Sequence, residues 1–130
     1  MREARKLYHT IQKQTKRQPY VRSSYFSKDK IFINTFWQHL EQKRRSDQTR
    51  RLKLYLCAID LLRNTRLDPN TIFSNEKPRE VLHRFVGTTK EGSLFYVQVK
   101  QNKKSGRKDF MSVFPGNELK QKKKAFRRVA

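Results

Sequence analysis

In the stretch HRFVGTTKEGSLFYVQVKQNKKSGRKDFMSVFP, from His83 to Pro115, groups able to grip a phosphate or move a proton alternate with apolar residues. Arg84, Tyr96, Gln98, Lys100 and Ser112 are the central set, and His83 and the upstream His39 add imidazoles. Metal-free cleavage of RNA needs only such groups. A base takes the proton from the 2′-hydroxyl, an acid protonates the departing 5′-oxygen, and cations steady the charged phosphorane. Read this way, His39 or His83 is the base or acid, with Tyr96 as a substitute. Arg84 and Lys100 bind the phosphate, and Ser112 orients the substrate. Simpler roles compete: His39 as a helix boundary residue, His83 as a core histidine, and the whole set as an ordinary solvated sheet face.

Other chemistries lack their residues. The carboxylates are dispersed, and His9, His39 and His83 form no short ligand motif with Cys57, so no metal site is expected. Four glycines form no phosphate-cradling loop, and there is no nucleophile elbow, so no nucleotide cofactor is expected. The single Cys57, in LYLCAIDLL, excludes an internal disulfide and fits a reducing, cytoplasmic setting as a small core residue. No apolar run approaches membrane-spanning length.

Charge supplies the partner class. The chain has 130 residues and a formal charge of +21, from 32 Lys and Arg against 11 Asp and Glu. Residues 1–25 hold seven basic residues and residues 118–130 hold six, but 26–117 still hold 19 against nine acidic ones. The basicity therefore belongs to the body as well as the tails. Such a surface attracts polyanions, nucleic acid first, then anionic membrane or an acidic protein.

These residues need elements to position them. Residues 1–26 read as a basic arm, with a turn or two of helix in KLYHTIQKQ, an extended YVRSSYF, and contact to the body through Tyr20 and Phe26. Ile33, Phe36, Trp37 and Leu40 predict a first helix from Ser27 or Lys28 to about Arg45, with Ser27 as its cap. Leu52, Tyr55, Leu56, Ile59 and Leu62 predict a second from Asp47 to about Asn64, stopped by RLDPN. Strands are expected near 81–87, 94–101 and 108–114, with Gly-containing hairpins between them and a short strand at Ile72–Phe73. This is an α+β plan: one domain over 27–117, N-terminal helices on one face of a small antiparallel sheet of three to four strands, and a basic tail at 118–130.

Strand alternation sorts the faces. Phe95, Val97 and Val99 read as core. Burying a guanidinium costs more than burying a neutral imidazole, which turns His83 inward and Arg84 outward. The open face then holds Arg84, Tyr96, Gln98, Lys100 and Ser112, rimmed by Phe110 and Phe114. The hairpin tip adds Lys103, Lys104, Arg107 and Lys108. Cations hold phosphates and aromatic rings stack on unpaired bases, which makes this a candidate nucleic-acid surface, RNA before DNA.

The order of WQHLEQ, LYLCAIDLLRNTRLDPN and the 83–115 stretch resembles phage- and polymorphic-toxin-associated nuclease domains of the barnase–EndoU–colicin–RelE superfamily, over about residues 35–115. Arg63 and Thr65 match its helix ending in Arg-x-Thr, Arg84 its strand arginine, and Ser112 its final-strand hydroxyl. The resemblance implies a barnase- or RelE-like fold with four antiparallel strands, a metal-independent ribonuclease or a degenerate relative, substrate contacts from Arg63 and Thr65, and a possible acidic inhibitor partner of antitoxin type. Binding without cleavage is the alternative function, and docking to an acidic partner or anionic membrane a third.

Overall fold

The computed structural model describes residues 2–73 and 76–118. In chain order it has α1 (Arg2–Gln14), β1 (Tyr20–Ser23), β2 (Asp29–Phe32), α2 (Asn34–Leu40), α3 (Arg45–Lys53), α4 (Tyr55–Asn64), β3 (Asn70–Phe73), β4 (Glu80–Thr88), β5 (Leu94–Asn102) and β6 (Lys108–Pro115), closed by a 3₁₀ turn at Gly116–Glu118. The class is α+β, as expected. The sheet is larger than expected, with six strands in the order β1-β2-β6-β5-β4-β3. It is also mixed, because β2 runs parallel to β6 while every other pair is antiparallel.

The three long strands follow from alternation. Phe85, Phe95, Val97, Val99 and Val113 project into one core with Phe36, Leu52, Tyr55, Ile59 and Leu62 from the helices. Burying aliphatic and aromatic side chains of this kind stabilises the fold by about 1.5–3 kcal/mol each. The hairpin from β5 to β6 closes on Asn102, whose Oδ1 accepts from the Lys104 and Ser105 amides. Gly106, at φ 77°, then takes the left-handed position.

Two helical expectations are corrected. The predicted first helix contains β2 instead of its first turn. Ile31 and Ile33 are both fully buried, two residues apart, which is strand spacing. Ser27 and Lys28 have φ of 55° and 70°, a left-handed turn that cannot begin an α-helix. Only Asn34–Leu40 is helical there, with Phe36 and Leu40 buried. The predicted second helix is broken at Leu54, so that α3 and α4 each bring part of the stripe to the core.

The N-terminal segment read as an arm is built into the body. Ala4 and Ile11 of α1 and Val21 of β1 are buried in the same core, with Leu7 and Tyr8 packed against it. The short Ile72–Phe73 strand is present as β3, paired to β4. Residues 119–130 of the expected basic tail lie outside the described residues.

Candidate nucleic-acid interface

Directly paired residues on neighbouring strands project to the same side of a sheet. One row therefore runs from edge to edge: Tyr20, Phe32, Asp109, Lys100, Leu82, Ile72. The next row holds Asn70, Arg84, Gln98 and Ser112, and the one after it Val86, Tyr96 and Phe114. These rows face away from the helices, because the alternate residues form the core. Arg84, Tyr96, Gln98, Lys100 and Ser112 thus share one face.

A hydrogen-bonded chain links three of them. Arg84 Nη2 donates to Gln98 Oε1 at 2.9 Å, and Gln98 Nε2 donates to Ser112 Oγ at 3.3 Å. Tyr96 stacks on Phe114 with ring centroids 5.7 Å apart, and the Arg84 guanidinium lies 5.8 Å from the same Phe114 ring. Lys100 Nζ is 3.8 Å from Glu80 Oε1, with both side chains about one-third exposed. Arg84 itself is only 5 % exposed, which corrects the expectation of a freely accessible phosphate ligand. Burial lowers its pKa from the ordinary arginine value, and the neighbouring Tyr96 partly offsets this. Its chemistry here is to hold Gln98 in place and cover Phe114. Phe114 is fully buried, so it supports Tyr96 and is no exposed rim.

Phe110 is on the other face. A bulge between β5 and β6 pairs Gln98 with Ser112 but Val99 with Phe110, leaving Met111 as the extra residue. That insertion reverses the alternation. Phe110 enters the core and stacks on Phe36 at 4.7 Å, while Ser112 stays outward. Lys108 is likewise inward: its Nζ bonds Asp29 Oδ2 at 2.6 Å and lies 4.9 Å from the Phe26 ring centre. Lys103 and Lys104 remain exposed at the hairpin tip, Lys103 with its ammonium 4.9 Å from the Phe73 ring.

The imidazoles do not join the face. His83 turns inward as expected, edge-on to Phe26 at 5.1 Å. Its Nε2 is 2.7 Å from Gln101 Oε1, an acceptor, and its Nδ1 is 3.1 Å from Thr71 Oγ1. Nε2 therefore donates to Gln101, and both ring nitrogens are engaged by neighbouring side chains. His39 is exposed on α2, in the helix layer. Arg63 and Thr65 also stand apart, at the end of α4. The Arg63 carbonyl accepts from the Ser24 amide and hydroxyl, and Thr65 Oγ1 accepts from the Leu67 amide.

The same face continues where the sequence reading looked for an arm. Tyr20, Lys30 and Phe32 stand on it, with Lys30 Nζ 4.7 Å from the Tyr20 ring centre and Arg107 Cζ 4.2 Å from that of Phe32. The signal for them is brief: Tyr20 and Arg22 alternate with Val21 and Ser23, and Lys30 and Phe32 alternate with Ile31 and Ile33.

Among the described residues, no group of three or more His, Cys, Asp or Glu could hold a metal ion. No helix among them is long and apolar enough to cross a membrane. No family model, curated protein or solved structure matches the chain. The class that fold and face define is an α+β domain with helices on one side of a mixed sheet and a cationic, aromatic surface on the other.

Proposed function

We propose that the sheet face turned away from α1–α4 binds single-stranded RNA, without cleaving it. The observation that carries this reading is the cross-strand row from Tyr20 through Phe32 to Lys100, flanked by Lys30, Tyr96, Gln98 and Ser112. Sheet faces with partly exposed rings suit unpaired bases, whereas the grooves of duplexes call for a protruding element. Gln98 and Ser112 offer amide and hydroxyl groups to a ribose 2′-hydroxyl.

Cleavage is less favoured because a base and an acid must reach the same phosphate. His39 and His83 lie off this face, and Tyr96, the remaining candidate named for proton transfer, stands on it two cross-strand rows from Lys100. An acidic inhibitor of the kind the resemblance suggests would compete for the same cations. A membrane-surface role is less favoured because the apolar residues of α1 are spent on the core. A reducing, cytoplasmic setting fits the single cysteine.

The test is to incubate purified protein with total RNA in EDTA and assay binding and fragments together. Retention of intact RNA, weakened about 3- to 10-fold by Lys100→Ala, supports binding. One fewer phosphate contact also lowers the salt slope by about 0.7. Fragments with 2′,3′-cyclic phosphate ends would replace this reading with the nuclease one.

A further inference from the structure

The end of α1 and the paired strands β1 and β2 line a half-open cavity of ≈ 910 Å³. Lys16, Arg17, Lys30 and Arg107 line it together with Tyr20 and Phe32, and none of its lining residues is acidic. Ligand sites commonly occupy about 300–1,000 Å³, so one nucleotide unit fits the space. The two rings meet edge to face at 6.1 Å. Arg107 is fixed: its Nη2 donates to Gln18 Oε1 at 2.7 Å, and its fork bonds the Asp109 carboxylate at 3.2–3.3 Å. Among the described residues, no carboxylate comes within ion-pairing distance of Lys16, Arg17 or Lys30. The negative end of the α1 dipole lies nearby, and Lys16 and Arg17 more than offset its partial charge.

Aromatic rings beside cations that no described carboxylate pairs with suit a ligand carrying both a planar ring and an anion. We propose that this cavity is a nucleotide-binding pocket, taking one base and its phosphate from the strand held on the sheet face turned away from α1–α4. The inference rests on the function proposed above. Tyr20 and Phe32 would contact the base, and Lys16, Arg17 and Lys30 the phosphate. Phe32 lies two strand spacings from Lys100 and Tyr20 three, about 10 and 14 Å away, so a few nucleotides of a single strand bridge the two.

The experiment measures binding of a fluorescent octa-adenylate RNA to the full chain and to Lys30→Ala, Tyr20→Leu and Lys100→Ala, alongside an NMR titration with adenosine monophosphate. Circular dichroism confirms that each variant is folded. Lys30→Ala replaces an exposed side chain and so serves should Tyr20→Leu fail to fold. Expected are 3- to 10-fold weaker octamer binding for each variant, a salt slope lowered by about 0.7 in Lys30→Ala, and mononucleotide-induced shifts at Tyr20 and Phe32 but not at Lys100. Parent affinity in Lys30→Ala and Tyr20→Leu, with Lys100→Ala weakened, would overturn the pocket and confine RNA binding to the part of the face around Tyr96, Gln98 and Lys100. Shifts at Tyr20 and Phe32 with octamer binding insensitive to Lys100→Ala would overturn the face reading and leave a pocket for free nucleotides. Absence of both responses would overturn both.

Discussion

The ammonium of Lys108 sits 9 % exposed against the Asp29 carboxylate, 52 % of whose side chain is in solvent. The Lys108 hydrogen bond holds the Asp29 carboxyl below the ordinary carboxylate range, against a smaller opposing effect of burial. A lowered folded-state pKa means that the unfolded chain binds the proton first as pH falls. The pair's stabilisation is therefore complete above about pH 4, the unfolded range, and fades as pH drops through the lowered value. Asp29→Asn should reduce stability at pH 7 by about 1 kcal/mol, a figure set low because the carboxylate is half exposed. Urea titrations at pH 7 and pH 3 check this: the gap between parent and variant narrows at the lower pH. A gap unchanged with pH would show that the ion pair is not its source. Lys108 illustrates why single residues were hard to assign. Composition marks it as one more hairpin cation, and only the parallel pairing of β2 with β6 turns it toward Asp29.

Gly87 and Phe95 are cross-strand partners in the β4–β5 hairpin, and a Cβ at Gly87 would lie 2.4 Å from the Phe95 ring. Phe95 is 2 % exposed, so its ring has little room to yield. Gly87→Val should cost about 1–3 kcal/mol through overpacking, read as a lower denaturant midpoint. An unchanged midpoint would mean that the ring can relocate freely. The long strands could be read from the chain because eight or nine residues of alternation outvote local accidents. β1 and β2 have four residues each, and Ile33, Phe36, Trp37 and Leu40 make a good helical stripe that extends falsely back over β2. The β5–β6 bulge defeated simple parity: Met111 adds one residue, so Phe110 and Phe114, four apart in the chain, point to opposite faces. The same limit applied to the candidate site. Arg84, Tyr96, Gln98, Lys100 and Ser112 share a face because they lie on long strands, whereas Tyr20 and Phe32 enter it through pairings that local pattern does not reveal.

For the molecule as a whole, a formal charge of +21 ensures some affinity for any polyanion at low salt. Retention of RNA alone therefore says little about where it binds. What distinguishes this account is location: one side of the sheet is committed to the helices and the core, and the other carries the rings and cations. The most direct measurement is backbone amide shift mapping of the ¹⁵N-labelled chain with a single-stranded RNA octamer at 150 mM salt in EDTA. The account predicts perturbations concentrated on Tyr20, Lys30, Phe32, Tyr96, Gln98 and Lys100, with the exposed surfaces of α1–α4 silent. Perturbations confined to the helix layer would contradict it.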